Sequence, residues 1–100
     1  MSNFEAIFGA RACHVRVEPR SNGPDKTMFA ATPFVISPDP NIFNWFPNGA
    51  GEPIEFIAFD EAVALAHAAL FLSERFGGQR GQFVKAPERS APVVLKPFAG

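Results

Sequence analysis

The sequence predicts a two-layer α+β domain in which one long helix lies across a mostly antiparallel sheet of three to five strands. Three features predict this fold: a strand, helix and glycine stop over residues 54–78, an alternating segment over 11–18, and a turn-rich stretch after it. They give the order hairpin, aromatic loop, strand, helix and extended arm. We expect residues 1–100 to form a single domain, with 87–100 as a Pro-rich extended C-terminal arm.

The helix is predicted from Glu61 to Phe76. Asp60 follows an apolar strand segment and can accept hydrogen bonds from the free N–H groups of the first turn. Gly77 and Gly78 can adopt the backbone conformation that ends a helix. Apolar residues recur at spacings of three and four and are expected to face the sheet. They are Ala62, Leu65, Ala69, Leu72 and Phe76.

A second helix stripe is also largely apolar, so one sheet cannot cover the whole helix. This stripe consists of Val63, His67, Leu70 and Glu74, with Ala64, Ala68 and Phe71 beside it. One interpretation is that the arm lies over it with Val93, Val94, Leu95 and Phe98. The other is that a partner protein, or a second copy of this chain, docks on Leu70 and Phe71.

The first half of the chain predicts a hairpin. A single helical turn over residues 1–9 is expected to end at Gly9. Residues 11–18 alternate, with Cys13, Val15 and Val17 on the apolar face, as in a half-buried antiparallel strand. Asn22-Gly23 marks the reversal, and 28–37 is the second strand. We expect that strand at an edge of the sheet, because Pro33 cannot donate to a ladder.

The long connection over residues 37–53 is rich in aromatic side chains. Asp39 followed by Pro40 predicts a short helical turn through Phe46. The aromatic residues either form a satellite cluster that closes one end of the sheet or an exposed patch with Trp45 as a binding anchor. After the helix, 81–85 is a strand candidate, and 92–98 is an edge strand or a wrap.

Composition limits the class of protein. Forty-seven percent of the residues are hydrophobic, and the aromatic set has twelve Phe, one Trp and no Tyr, which suits packing better than proton transfer. The single cysteine, Cys13, excludes an internal disulfide, and no segment is predicted to be a signal peptide or a membrane span. We expect a cytoplasmic protein.

The sequence shows no convergent catalytic pattern. Cys13 and His14 are neighbours on a strand, so their side chains point to opposite faces and do not form a nucleophile–base pair. Two histidines and one cysteine without regular spacing do not predict a zinc site, and we expect no metal and no cofactor. The segment 77–82, GGQRGQ, follows a helix and so does not match a phosphate-binding loop.

Charge is divided along the chain. Residues 27–74 contain six acidic residues and no Lys or Arg, whereas 75–100 contain five basic residues and one acidic residue. Such polarity can steer a charged partner. Alternatively, the basic end folds back on the acidic segment.

These patterns predict a non-catalytic protein that acts by stoichiometric binding, as an adaptor, regulator or inhibitor. It could be encoded by a phage or mobile element and block a host machine that handles nucleic acid. The expected partner-binding residues are Phe43, Trp45, Phe46, His67, Leu70, Phe71 and Glu74.

Two alternatives belong to other functional classes. The first is a nucleic-acid-binding protein that uses Arg75, Arg80, Phe83, Lys85, Arg89 and Lys96. The second is a small enzyme with a site between His14 or His67 and the aromatic loop.

Overall fold

The computed structural model describes residues 1–21 and 27–99. Its strands are β1 Ser2–Phe8, β2 Arg11–Ser21, β3 Thr27–Ile36, β4 Ile42–Trp45, β5 Phe56–Ala58, β6 Gln79–Lys85 and β7 Val94–Pro97, and its helix is α1 Glu61–Phe76. The sheet order is β6-β1-β2-β3-β4-β7, with β5 paired to β3. The α+β class with one helix on a mostly antiparallel sheet is confirmed, but over the residues described the sheet has seven strands, more than the three to five predicted.

The predicted helix boundaries are confirmed at both ends. Asp60 Oδ1 accepts from the N–H groups of Ala62 at 2.8 Å and Val63 at 3.3 Å, and the Gly77 N–H donates to Ser73 O at 2.9 Å. The predicted core stripe is partly wrong, because Ala62 is exposed and the buried helix positions are Ala64, Ala68 and Leu72. The helix is rotated so that two alanines allow close approach to the sheet.

The predicted helical turn over residues 1–9 is wrong, since this segment is β1. It pairs antiparallel with β2 on one side and β6 on the other, and these ladders satisfy backbone groups that a single helical turn would leave open. Gly9 ends the strand with φ of 60°. Its N–H donates to Gly78 O at 3.0 Å, which brings the start of β2 against the end of α1.

β3 lies inside the sheet, so its predicted edge position is wrong. It pairs with β2 on one side and with both β5 and β4 on the other. The β5 ladder ends at Ala31 and the β4 ladder begins at Phe34, and Pro33 lies in the interval. A residue without an N–H is tolerated where the ladder is already interrupted. The turn predicted at Asn22-Gly23 lies outside the described residues.

The helical turn predicted from Asp39 to Phe46 is also wrong. Asp39 Oδ1 accepts from the N–H of Asn41 at 3.0 Å, and the Ser37 N–H donates to Ile42 O at 2.9 Å. These bonds close a tight connection, and the chain then returns along β3 as β4. The Asp-Pro pair therefore starts a turn between strands, a role for which Asp is equally suited.

The sheet has a helix-covered face and an open face. The first carries the core, which includes Phe8, Val15, Val35, Phe46 and Leu72. The second carries the alternate residues of the same strands, among them His14 opposite Phe34. Phe43 and Trp45 also lie on the open face, because they pair with Ile36 and Phe34. Among the described residues, no helix is both long and apolar enough to cross a membrane.

The segment after the helix crosses the open face. The strand candidate over 81–85 is confirmed as part of β6, and of the two alternatives for 92–98 the edge strand is confirmed, as β7. These two strands lie at opposite ends of the strand order. Five strand spacings separate them, about 24 Å across the sheet. Residues 86–93, here named the strap, make this crossing, and several of them line a cleft together with His14 and Phe43.

The arm therefore does not cover the second helix stripe, and the interpretation that it does is wrong. Val63 and Leu70 remain 45% and 58% exposed. The arm reaches the helix side only at its end, where the Phe98 ring lies 5.1 Å from the Phe46 ring and 5.9 Å from the Phe76 ring. The path of the strap therefore covers part of the open face of the sheet and leaves the second helix stripe exposed.

Candidate functional site

A polar cluster lies beneath the strap on the open face of the sheet. Strand register places Glu5 opposite His14, and Asn3 opposite Arg16. His14 Nδ1 lies 2.8 Å from Glu5 Oε2, and His14 Nε2 lies 3.0 Å from Asn3 Oδ1. The His14 side chain is only 7% exposed, so both of its ring nitrogens are engaged in a nearly dry environment.

Arg89 joins the strap to this cluster. Its Nη2 lies 2.8 Å from Glu5 Oε2, and its Nε donates to Pro40 O at 2.8 Å. The guanidinium carbon also lies 4.6 Å from the centre of the Phe43 ring. One side chain of the strap thus contacts β1, the β3–β4 connection and β4. These contacts of Arg89 fix the position of the strap relative to the sheet.

Burial lowers the pKa of His14 from its ordinary value of 6.5, although Glu5 acts in the opposite direction through its hydrogen bond and charge. Neutral His14 can donate from Nδ1 to the Glu5 carboxylate, which leaves a lone pair on Nε2. A neutral ring of this tautomer is satisfied at Nε2 only if the Asn3 amide is turned by 180°, so that its NH₂ group takes the place of Oδ1 and donates to Nε2. The rings of Phe34 and Phe43 lie 5.9 and 4.5 Å from the imidazole and keep water away.

Beside this cluster is an open cleft of about 510 Å³ between the sheet and the strap. Phe34 and Phe43 line its sheet side, and strap residues line the other. Arg16 is the second cation in its wall, with its guanidinium carbon 5.4 Å from the centre of the Phe34 ring. Arg16 Nε lies 2.8 Å from Glu18 Oε1, but it makes no hydrogen bond to that oxygen, so the pair is held by charge alone.

A second, shallower concavity lies on the helix. This groove of about 320 Å³ is lined by Phe56, His67, Leu70, Phe71 and Glu74. Leu70 is the most exposed large apolar side chain of the helix, and Val63 lies two turns before it on the same side. Apolar side chains and two polar groups thus share one accessible surface, here named the helix groove.

The predicted partner-binding residues separate into two groups. His67, Leu70, Phe71 and Glu74 come together in the helix groove. The three aromatic residues of the loop do not form a common patch: Phe46 is buried in the core, Phe43 is buried on the open face, and Trp45 is half-buried there. β4 separates them because successive side chains of a strand point to opposite faces.

The predicted nucleic-acid-binding residues are dispersed. Arg80 and Lys85 lie on β6, whereas Lys96 lies on β7 at the opposite edge. Arg75 lies over the rings of Phe46 and Phe98, and Arg89 is held by Glu5. The Phe83 ring packs 6.2 Å from Phe4 and 5.9 Å from Phe8. They form no common surface, and the Phe83 ring is engaged in packing.

The residues considered for catalysis also lie apart. Cys13 is fully buried on the helix-covered face, and burial raises the pKa of its thiol to about 12. His67 is exposed on the helix, whereas His14 is the histidine that meets the aromatic loop, at Phe43. No group of three or more metal-ligating side chains occurs in residues 1–21 and 27–99.

The sequence analysis missed Asn3 and Glu5, and the reason is specific. The apolar residues of segment 1–9 are spaced as in a helical turn, and this spacing obscures the alternation of apolar and polar residues that is typical of a strand. If the segment is read as a strand, Asn3 and Glu5 fall on the face opposite Phe4 and Ala6, beside the polar residues of β2. That alternation was the available signal.

No protein-family model, curated protein or solved structure matches this chain significantly.

Proposed function

We propose that this protein acts by stoichiometric, non-catalytic binding of another protein through the helix groove. The observation that supports the proposal is the 58% exposure of Leu70 beside a concavity that contains Phe71, His67 and Glu74. Exposed apolar surface that borders a concavity and is rimmed by polar residues marks a candidate interaction site. Here residues 1–100 act as one domain in the cytoplasm, and the partner supplies the missing cover of α1.

The chemistry of the groove defines the complementary surface. Leu70, Phe71 and Phe56 offer apolar contact, while Glu74 and His67 lie at the same rim. A partner that fits would present an apolar side chain next to a cation or hydrogen-bond donor for Glu74. The acidic segment that includes Asp60 and Glu74 favours a partner whose surface around this contact is basic. An inhibitor of a machine with a basic nucleic-acid channel, encoded by a phage or mobile element, is one form of this proposal.

The test is a charge placed on the groove. Leu70→Glu should abolish binding of the partner without loss of folding, because Leu70 is exposed in the free protein. The matched control is Val84→Glu, which changes an equally exposed apolar residue on β6. Phe71 is less suitable, since its ring packs on those of Phe46 and Phe56.

The measurement is affinity purification from the native host followed by mass spectrometry, with the purified pair then quantified by calorimetry. We expect a protein that binds the wild type and Val84→Glu but not Leu70→Glu. Sedimentation of the purified chain distinguishes a second copy from a different protein as the partner. Equal binding by all three forms would refute the helix groove as the contact surface.

A further inference from the structure

One side chain attaches the strap to the open face of the sheet. The Ala86 N–H donates to Asn3 O at 2.9 Å and fixes the start of the strap, and β7 follows its end. Among the residues that the structure describes, every hydrogen bond or ion pair between residues 87–93 and the rest of the protein is made by Arg89. The strap lies on the opposite side of the sheet from the helix groove, so its role is independent of the function proposed above.

The side chains beneath the strap are covered, whereas the strap itself is not. Phe34 and Phe43 are 2% and 4% exposed, although both lie on the open face. Of residues 86–93, only Ala86 and Arg89 are half-buried, and the others are exposed. The strap therefore buries little surface of its own, and a segment of this kind opens locally at a small cost in free energy.

His14 can accept a proton without leaving its place on β2. Asn3 Oδ1 lies 3.0 Å from Nε2, which suits a protonated ring, because Nε2 would then donate to that oxygen. With its amide turned over, the same residue donates to the Nε2 of a neutral ring. Nδ1 donates to Glu5 in both states. The strands therefore satisfy the hydrogen bonds of His14 whether the ring is neutral or protonated.

The charge of this cluster, in contrast, is balanced only while His14 is neutral. Glu5 Oε2 lies 2.8 Å from both His14 Nδ1 and Arg89 Nη2, so protonation would give one carboxylate two cations in a nearly dry environment. Such an excess of shielded charge is costly. His14 and Glu5 are held by the ladder between β1 and β2, whereas Arg89 belongs to an exposed segment. Departure of Arg89 is therefore the least costly way to remove the excess.

The other charged groups near His14 do not supply the missing anion. Arg16 follows on β2 and is itself a cation, and its charge is already paired with Glu18. Glu88 and the amino group of Met1 lie along the cleft. Both residues are exposed to water, which screens their charges. Glu5 is thus the anion for which His14 and Arg89 compete.

Burial lowers the pKa of His14 from 6.5, Glu5 acts in the opposite direction, and the positive charge of Arg89 lowers the pKa further. An open strap would admit water to the ring and remove Arg89, so the pKa would rise. The form that binds a proton more tightly becomes more populated as the pH falls. We propose that the strap is a lid, which closes the open face while His14 is neutral and opens when His14 is protonated and Arg89 leaves Glu5. The open form exposes Phe34 and Phe43 as an additional apolar surface.

The test follows the accessibility of the Phe43 ring in the full chain, labelled with ¹³C in its Phe and His rings. A neutral gadolinium chelate relaxes the NMR signals of groups that it can approach. Between about pH 8 and pH 5 we expect the relaxation of Phe43 to rise severalfold, with the same midpoint as the titration of His14. Phe8, which is fully buried in the core, should stay protected throughout this range.

Two variants separate the roles of the histidine and the arginine. His14→Gln should keep Phe43 protected at every pH, because residue 14 then has no proton to take up. Arg89→Gln should leave Phe43 accessible even at the higher pH, because the strap loses its attachment. His67→Gln on α1 and Arg80→Gln on β6 are the matched controls and should behave as the wild type.

Several results would overturn the proposal. One is a Phe43 ring whose relaxation does not change with pH in the wild type, and another is a midpoint that differs from that of His14. Relaxation of Phe8 that rises together with that of Phe43 would show that the whole domain unfolds. These readouts come from the wild type and decide the question even if a variant fails to fold. Leu70→Glu, which tests the helix groove, should respond to pH as the wild type does, so the two proposals hold or fail separately.

Discussion

Glu5 and His14 lie directly opposite each other on β1 and β2, and Glu5 Oε2 lies 2.8 Å from both His14 Nδ1 and Arg89 Nη2. One carboxylate oxygen therefore joins two strands of the sheet to the strap. The side chains of Glu5 and Arg89 are 16% and 14% exposed, so this contact is largely shielded from water. It is the strongest candidate for a charged interaction that matters to the stability of this fold.

Replacement of Glu5 by Gln should lower the free energy of unfolding by about 2 kcal/mol, because Arg89 would lose its anion while still shielded from water. Glu55→Gln is the matched control. It breaks the exposed pair between Glu55 and Arg20, which should cost less than about 1 kcal/mol. Urea unfolding of the three proteins provides the measurement. Equal losses for the two variants would show that the shielding of Glu5 has no energetic effect.

The pH dependence of stability should follow His14. Burial lowers its pKa below the ordinary value of 6.5, so the unfolded chain binds a proton at a pH where the native protein does not. The contribution of His14 is therefore complete above about pH 6.5 and is lost progressively as the pH falls toward the native pKa. Urea unfolding between about pH 5 and pH 8 should show this decline. It should be much smaller in His14→Gln and unchanged in His67→Gln. An NMR titration that places the pKa of His14 above 6.5 would contradict the argument.

Two glycines with positive φ should respond differently to alanine. Gly9 and Gly81 have φ values of 60° and 80°, and each substitution would incur backbone strain of about 1–2 kcal/mol. At Gly9 the added Cβ would also lie 2.1 Å from Phe76 O, whereas at Gly81 no atom lies within 4 Å. Gly9→Ala should therefore cost about 3 kcal/mol or more. Thermal unfolding measures both, and a similar cost for the two would refute the close approach at Gly9.

Two leucines of the same helix provide the sharpest test of how α1 is oriented. Leu72 is fully buried, so Leu72→Ala should cost about 2–5 kcal/mol through lost burial and a cavity. Leu70 is 58% exposed, and Leu70→Ala should change the free energy of unfolding by less than about 0.5 kcal/mol. Urea unfolding of the two variants and the wild type measures both changes in the free energy of unfolding. A large effect at Leu70 would mean that something covers it, such as a second copy, and sedimentation would detect that.

Local signals in the sequence were enough for several elements. The helix begins and ends where Asp60 and Gly77 predict, because capping depends on groups within one turn of the end of the helix. β2 followed from the alternation of Cys13, Val15 and Val17 with polar neighbours. Residues 81–85 were a strand candidate and form part of β6, and the prolines of the tail excluded a helix where β7 forms.

The predictions that were wrong concern short segments whose local sequence is compatible with two different backbone structures. Phe4, Ile7 and Phe8 are compatible with a helical turn, but β2 and β6 on either side make the strand the better solution. Asp39 and Pro40 can start a turn as readily as a helix. The turn forms because the following residues pair with β3 as β4. In both cases the partner strand is distant in the chain, so a local pattern does not contain the answer.

The candidate sites show the same division. Four of the predicted partner-binding residues, from His67 to Glu74, were found from helix spacing alone, and they share one groove. The cluster of Asn3, Glu5 and His14 with Arg89 was not predicted. Arg89 is distant in sequence from the strands that it contacts, and only the crossing of the sheet by the strap brings it there.

By itself, the sequence determined the class of the fold, the limits of α1 and the apolar surplus on that helix, because these depend on periodicity and on groups a few residues apart. Only the tertiary structure decided which side of the helix meets the sheet, where β3 lies and what the arm covers. Those outcomes depend on pairing between distant strands, and β6 and β7 at opposite edges oblige the strap to cross the open face. The same crossing leaves Leu70 uncovered and places Arg89 on Glu5.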